Sequence, residues 1–224
     1  MALPEYARIA ALQREPRQQQ PANLHLIEES SATGEVAELY NHFRTHFGRP
    51  DVPGILKCFA THPPLLKHMM DLSESVIFSE GHLTRKHKEM IAILVSQQNA
   101  CPYCVDSHAY FLRVNGGSLQ ALTAIQANHL HSPALTHAEQ ALLGFVTMVN
   151  RESHRIGPAD VERLRQSGWS DAQAGEAVHV ASLFAAFNRV ANAFGLGSQG
   201  LLDLFEVEAE AASGPDTIAK GTAP

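Results

Sequence analysis

Apolar and aromatic residues recur at helical spacing along most of this chain. From Thr33 onward they fall three or four positions apart, which places them on one face of a helix. This face consists of Val36, Leu39, Tyr40, Phe43 and Phe47. Similar patterns follow at residues 52–60 and 64–72, each opened by proline or glycine. We expect three helices here, with the aromatic residues in the core.

The second half of the chain continues this pattern and adds clear helix starts. Thr136 and Ser170 are each followed three residues later by Glu or Gln, the arrangement of a capping box. Gly157 and Pro158 open a further helix, which we expect to end near Gly168. No strand pattern competes with these helices. The sequence therefore predicts an all-α fold, a compact helical bundle.

Residues 172–193 form a last predicted helix that is rich in Ala, Val and Phe. Small residues recur every four positions at Ala177, Ala181 and Ala185. Such a stripe lets another helix approach closely, either within the bundle or across a subunit contact. His179 lies inside this apolar helix, and we expect it to be a hydrogen-bonded core histidine.

Composition and charge agree with one helical domain. The chain has 224 residues and a formal net charge of −6, and its basic residues are scattered, so nothing indicates a nucleic-acid surface. No secretory signal or membrane-length apolar stretch is present, so we expect a cytoplasmic protein without membrane contact. Residues 1–22 predict a loosely ordered arm, 23–212 the helical domain and 213–224 a flexible tail. Leu-Thr pairs at 83–84 and 135–136 precede two apolar helices, which fits a duplicated helical unit.

Residues 101–108 read Cys-Pro-Tyr-Cys-Val-Asp-Ser-His and carry the most informative chemistry of the chain. Pro102 has a fixed φ and no amide hydrogen, so it suits the first helical position and makes Cys101 the N-cap. Cys104 follows three positions later and His108 a further four, so two thiols and an imidazole lie along one stripe. This spacing predicts a thiol redox site with a proton relay.

Three other kinds of site use a Cys-x-x-Cys motif. A c-type haem site needs His directly after the second Cys, where this chain has Val105. A thioredoxin-like site follows a strand, whereas residues 86–98 have the composition of a helix. Structural zinc needs further ligands, and the third cysteine, Cys58, has no close partner in the sequence, so zinc stays open only as a minor alternative. We expect no metal and no cofactor, and we expect Cys58 to be a small buried residue.

Glu89 is the acidic residue of the predicted helix 86–98. Residues 90–95 have no polar side chain, so this helix is expected to be buried on most sides, with Glu89 at its functional end. A buried carboxylate is costly unless it has a partner. The alternative is that Glu89 joins Arg85 and Lys88 on a solvated first turn.

The arrangement of these residues resembles the AhpD-like alkylhydroperoxidases, in the peroxidase-related branch of the carboxymuconolactone decarboxylase superfamily. The family pattern is a Glu, a step of twelve residues, Cys-x-x-Cys, and a His after three more residues. In this chain the pattern falls on Glu89, Cys101, Cys104 and His108. The resemblance covers about residues 27–205 of this chain.

The resemblance implies an AhpD-like homo-oligomer that reduces hydroperoxides through a dithiol/disulfide cycle. It implies Cys104 as the peroxidatic thiol, Cys101 as the resolving thiol and an external dithiol reductant, with a lipoyl carrier among the candidates. His108 and Glu89 would form the proton relay. The position of the cysteines on the helix instead favours Cys101 as the reactive thiol, because the positive end of a helix stabilises a thiolate at its N-cap. Tyr103 stands where some AhpD proteins carry a second His, so any role of that His does not transfer.

Two other functions fit parts of this pattern. A decarboxylase or isomerase of the same superfamily shares the fold but does not need paired cysteines. A redox sensor would oxidise once and stop, whereas an enzyme supplied with a dithiol consumes peroxide continuously. The thirteen histidines do not change this picture, because only His108 has a partner placed by helical spacing.

Overall fold

The computed structural model describes residues 22–203, whose regular elements are helices. The α-helices are α1 (Gly34–Phe47), α2 (Gly54–Lys57), α3 (Pro63–Ser73), α4 (Arg85–Gln98), α5 (Pro102–Val114), α6 (Leu119–Gln126), α7 (His137–Glu152), α8 (Pro158–Gln166) and α9 (Asp171–Phe194), and two short 3-10 helices lie at Glu29–Ser31 and Ser153–Arg155. A π-helical turn, Glu74–Phe78, extends α3. The predicted all-α fold is confirmed. The predicted tail (213–224) and all but the last residue of the predicted arm (1–22) lie outside the described residues.

Helix α4 lies at the centre of the bundle. All its residues from Lys88 to Ser96 are buried, and it packs against α5, α6, α7 and α9. Residues 91–95 are apolar and fully shielded from solvent, and each buried Leu or Ile side chain contributes about 1.5–3 kcal/mol relative to an exposed one. A helix enclosed in this way holds its few polar side chains in fixed positions. None of the helices in residues 22–203 has the length and apolar content to cross a membrane.

Capping residues begin the helices where the sequence predicts. At the start of α4, Thr84 Oγ1 accepts a hydrogen bond from the backbone N–H of His87 at 3.3 Å. Thr136 begins α7 and Ser170 begins α9, each with both hydrogen bonds of a capping box. Both predicted boxes are therefore confirmed. The repeated Leu-Thr pair marks two similar helix starts, and the duplication itself stays a prediction.

The segment 52–60 departs from the expected full helix. Helical hydrogen bonding is limited to Gly54–Lys57, and the chain then continues to Ala60 in tight turns that join residues three apart. Cys58, Phe59 and Ala60 are nonetheless buried. The apolar pattern thus indicated burial rather than a long helix. Because α2 packs against α3 and α9, this segment covers one side of the site described below.

Helix α9 uses its small residues inside the bundle. Ala177 and Ala181 are 0% and 1% exposed. Of the two predicted uses of the stripe, packing within the chain is therefore the one observed. His179 is exposed, so its prediction as a core histidine is wrong. It lies two residues from each of these alanines, and side chains two apart on a helix point about 200° apart.

A buried ion pair fixes the start of α4 against α9. The Lys88 side chain is 1% exposed, and its Nζ lies 2.7 Å from Glu176 Oε1 and donates to the Ser79 carbonyl at 3.0 Å. The other Glu176 oxygen accepts the Leu83 N–H at 2.6 Å. A Cβ at Gly81 would lie only 2.0 Å from Glu176 Oε1, so an alanine there would push the Glu176 carboxylate away from Lys88 and Leu83. This anchor orients the first turn of α4.

Candidate active site

The two site cysteines lie at the start of α5, as predicted. Cys101 is the N-cap and Pro102 is the first helical residue. The Cys101 N–H donates to the Ser96 carbonyl at 2.9 Å, so the last turn of α4 holds the N-cap in place. Between the helices, Ala100 has a φ of +51°, a left-handed conformation that turns the chain sharply. Both cysteines are free, buried thiols.

The two site cysteines form a near pair whose thiols differ in acidity. Hydrogen bonding by the Cys104 thiol lowers the pKa of Cys101 to about 7, against the opposing effect of burial. Donating that bond raises the pKa of Cys104 well above its ordinary value, and burial and the Cys101 charge act in the same direction. Of the two thiols, Cys101 is therefore the one that ionises first, and Cys104 keeps its proton. This agrees with the expectation from the helix N-terminus.

Glu89 on α4 and His108 on α5 are directly hydrogen-bonded. Glu89 Oε2 lies 2.6 Å from His108 Nδ1, and Glu89 Oε1 accepts from Arg85 Nε at 2.5 Å. The Glu89 side chain is fully buried, so the alternative of a solvated first turn is wrong. Burial alone would raise the pKa of this carboxyl, but the charges of Arg85 and His108 outweigh burial and lower the pKa. A carboxylate only accepts, so His108 Nδ1 carries a hydrogen and Nε2 is the nitrogen that can exchange a proton.

Arg85 is a site residue that the sequence analysis placed only on a solvated turn. Its guanidinium carbon lies 4.6 Å from the centroid of the Phe78 ring and 5.5 Å from that of Phe111. Aromatic rings on the guanidinium keep its charge beside Glu89 where little water reaches it. The i,i+4 spacing of Arg85 and Glu89 on a predicted helix was the sequence feature that could have identified this ion pair.

An apolar cavity of about 80 Å³ reaches the site, and both Cys104 and His108 line it. Cys101 is not among its lining residues. Six phenylalanines contribute to the walls: Phe43, Phe47, Phe78, Phe111, Phe184 and Phe187. The His108 ring meets the Phe184 ring edge to face, with centroids 4.5 Å apart. This contact and the bond to Glu89 together fix the plane of the imidazole.

Tyr103, the residue between the cysteines, also lines the cavity. Its hydroxyl oxygen accepts the Ile55 N–H at 3.2 Å, which ties the α2 segment to α5. Burial raises the pKa of this phenol, so it stays protonated. The hydroxyl can therefore donate to a molecule in the cavity.

The structure does not join every predicted partner. Among the hydrogen bonds of residues 22–203, none links His108 to either sulfur, although the sequence places His108 one helical turn beyond Cys104. Cys104 and His108 nevertheless line the same cavity. Proton transfer between them therefore needs a molecule in the cavity, such as a water or the substrate.

Cys58 takes no part in the site. Burial raises its pKa to about 12, and its thiol donates to the Gly54 carbonyl at 3.4 Å. A buried, protonated thiol is unreactive, so the prediction of a small buried residue is confirmed. Nowhere in the described part of the chain do three His, Cys, Asp or Glu side chains converge where they could hold a metal ion.

Sequence comparisons match the part of the chain that holds this site. The model of the carboxymuconolactone decarboxylase family matches residues 63–142, which include the Glu, both site cysteines and the His. Protein 4 in the cox locus of Paracoccus denitrificans is 29% identical over 70 residues. These are 30% of this chain and 63% of that protein, so the match spans less than two thirds of the relative's length.

Solved structures share the fold over most of the chain. A peroxidase-related protein from Silicibacter sp. TM1040 is 27% identical, with a TM-score of 0.69 over 82% of this chain and 93% of its own. The AhpD core of a peroxidase-related protein from Ralstonia eutropha JMP134 is 23% identical, with a TM-score of 0.72 over 82% and 95%. The debrominase Bmp8, solved with 2,3,4-tribromopyrrole, is 14% identical, with a TM-score of 0.66 over 85% and 99%. The last two likenesses show the fold alone.

The family match covers residues 63–142, the segment that holds the site, and the fold of the chain is AhpD-like. Proteins of this fold include enzymes with different reactions, so the reaction has to be argued from the site.

Proposed function

We propose that this protein is a thiol-dependent peroxidase that reduces organic hydroperoxides through a Cys101–Cys104 dithiol/disulfide cycle. The observation that carries this proposal is a cavity-lining thiol, Cys104, that has a second thiol as its neighbour and shares an apolar cavity with His108. Peroxide reduction by a dithiol needs a nucleophile, a resolving thiol and a proton carrier. A pair of neighbouring thiols and an imidazole beside the same cavity fit these three roles and support the proposal.

The Cys104 thiolate performs the first step by attacking the distal oxygen of the hydroperoxide. The S–O bond forms as the O–O bond breaks, so the sulfur is oxidised to a sulfenic acid and the peroxide is reduced to an alkoxide. The alkoxide takes a proton from the His108 imidazolium and leaves as the alcohol. Glu89, held in turn by Arg85, orients the imidazole and stabilises its charged form.

Cys104 carries the charge for this step, although Cys101 holds it at rest. A proton moves from Cys104 Sγ to the neighbouring Cys101 Sγ, and the total charge of the pair does not change. Because Cys104 lines the cavity and Cys101 does not, the substrate meets the sulfur that this shift activates. We therefore assign Cys104 as the peroxidatic thiol and Cys101 as the resolving thiol.

The second step closes the disulfide. Cys101 attacks the Cys104 sulfur, the S–S bond forms as the S–O bond breaks, and the Cys101 proton leaves with the hydroxide as water. An external dithiol then reopens the disulfide by exchange. The two sulfurs belong to residues that are 0% and 3% exposed, which favours a slender dithiol such as a lipoyl arm over a globular reductant. Assembly as a homo-oligomer is proposed from the family resemblance alone.

Steady-state consumption of tert-butyl hydroperoxide with excess dihydrolipoamide tests this proposal. We expect continuous turnover by the wild type and none by Cys104→Ser. Cys58→Ser is the matched control, because Cys58 is also buried but lies outside the site, and it should turn over at the wild-type rate. Oxidation of one equivalent followed by arrest would indicate a sensor. Thiols inert to peroxide would overturn the proposal and leave the non-redox decarboxylase or isomerase reactions of the superfamily.

A further inference from the structure

Arg49 is a buried cation on the wall of the apolar cavity. Its side chain is 4% exposed, and it lines the cavity together with Cys104, His108 and the six phenylalanines. No Asp, Glu or Lys is among the described residues that line this cavity. Because an arginine keeps its proton at any physiological pH, Arg49 gives the cavity wall a permanent positive charge.

The acidic partner of Arg49 is half-exposed. Both carboxylate oxygens of Asp51 accept from Arg49 Nη2, at 3.0 and 3.1 Å, and the Asp51 side chain is 47% exposed. Water screens an exposed charge far more than a buried one. Inside the cavity the charge of Arg49 is therefore only partly offset by Asp51, and this part of the wall attracts an anion.

Two hydroxyls of the wall already donate within their own helices. Ser73 Oγ donates to the Met69 carbonyl at 2.7 Å, and Ser107 Oγ donates to the Tyr103 carbonyl at 3.0 Å. The strongest donor that an anionic ligand meets in the cavity is thus the guanidinium of Arg49, a group whose planar fork suits a carboxylate.

The size and charge of the cavity favour a compact carboxylate. Its volume of about 80 Å³ corresponds to roughly 5–8 water molecules, which suits one ring or a short branched chain and not a long lipid. One cation balances the single charge of a carboxylate, whereas a phosphate monoester carries a charge of about −1.5 to −2 at neutral pH. The phenylalanine walls suit an apolar body between the anionic group and the peroxide.

We propose, on the basis of the proposed peroxidase function, that Arg49 binds a carboxylate on the substrate, and that the preferred substrate is the hydroperoxide of a compact, apolar carboxylic acid. With its carboxylate at Arg49, such a molecule fills the space between the aromatic rings and brings its peroxide to Cys104 and His108. A purely structural Arg49 would only hold Asp51, and its loss would affect neutral and anionic substrates alike.

Two substrates with the same skeleton test this assignment. Cumene hydroperoxide is neutral, and its para-carboxylate carries an anionic group across the ring from the peroxide. We expect the wild type to prefer the carboxylate in kcat/KM by roughly 10–100-fold, the range for a hydrogen bond to a charged group. Arg49→Met keeps an apolar stem but removes the charge, and it should lose this preference through a lower kcat/KM for the carboxylate.

Asp51→Asn is the matched control, because it breaks the same ion pair but keeps the charge of Arg49. Its preference for the carboxylate should rise, since Asp51 no longer competes for the guanidinium. No preference in the wild type, or an unchanged preference in folded Arg49→Met, would overturn the carboxylate site. A preference lost in Asp51→Asn as well would assign the effect to the ion pair and also overturn it. If Arg49→Met does not fold, Asp51→Asn decides: a raised preference supports the site, and an unchanged or lowered one refutes it.

The proposed function fails separately. If the wild type consumes neither hydroperoxide, the peroxidase cycle is wrong, and calorimetry with para-isopropylbenzoate, which has no peroxide, still tests Arg49. The neutral para-isopropylbenzamide is the matched ligand. Tighter binding of the benzoate that is lost in Arg49→Met supports the carboxylate site, whereas equal binding of the two ligands, or no binding, overturns it.

Discussion

Replacing Glu89 by Gln removes the negative charge that Arg85 and His108 share. The carboxylate is fully buried, and its two oxygens bond these two side chains at 2.5 and 2.6 Å. Gln keeps the shape of Glu and one acceptor, so it can satisfy one of the two donors but not both. The variant should therefore lose both stability and proton transfer.

The magnitudes follow from the burial of the ion pair. Removing one partner of a buried pair costs about 3–5 kcal/mol, and the Arg85 side chain is 16% exposed, which favours the lower end, about 3 kcal/mol. For a domain of this size each kcal/mol lowers Tm by about 2–4 °C, so we expect a decrease of roughly 6–12 °C. Most domains have a free energy of unfolding of about 5–15 kcal/mol, so the variant should stay folded. Loss of the acid–base partner should slow peroxide consumption by roughly 10²–10⁴-fold.

Thermal unfolding and peroxide consumption well below Tm separate the two effects. Arg85→Met is the matched control, because it removes the same ion pair but leaves the bond between Glu89 and His108. It should lower Tm by a similar amount and slow turnover much less. Wild-type turnover by folded Glu89→Gln would refute the role of Glu89 in proton transfer. An unchanged Tm would show that the ion pair contributes no net stability.

Three further predictions concern stability and the thiols. Folding lowers the pKa of Glu89, so its carboxylate stabilises the protein above the ordinary value of 4.5, and this contribution is lost as the pH falls through the lowered value. On acidification below pH 4.5, Tm should therefore fall more steeply in the wild type than in Glu89→Gln. Parallel curves of Tm against pH would contradict this. Gly81→Ala should destabilise the protein by roughly 1–3 kcal/mol in chemical denaturation, since its Cβ would meet Glu176, whereas Gly197→Ala, with open space around it, should not; equal stabilities would refute the anchor. After mild oxidation, peptide mapping should find a disulfide between the two site cysteines and a reduced Cys58, and Cys58 in the bond would contradict the dithiol assignment.

Local features of the fold and site were predictable because neighbours in the sequence determine them. Pro102 after a cysteine sets the N-cap, and the steps from Cys101 to Cys104 and His108 set the shared helical stripe. The i,i+4 spacing of Arg85 and Glu89 also indicated that the two side chains could form an ion pair. This spacing does not show whether such a pair is solvated or buried.

Contacts between distant segments lay beyond these local patterns. The bond between Glu89 and His108 joins two helices, and the sequence reached it only through the family resemblance. The exposure of His179, by contrast, was predictable from the sequence alone. The spacing of Ala177 and Ala181 along the helix already places His179 on the opposite, outer face.

Trapping the sulfenic acid tests the central claim most directly. Cys101→Ser and Cys104→Ser proteins are each given one equivalent of hydroperoxide with a dimedone-type trap, and the adduct is located by mass spectrometry. We predict an adduct on Cys104 in Cys101→Ser, because the thiol that would consume the sulfenic acid is gone, and none in Cys104→Ser. An adduct on Cys101 in Cys104→Ser would exchange the roles of the two thiols, and no adduct in either protein would contradict peroxide reduction at this site.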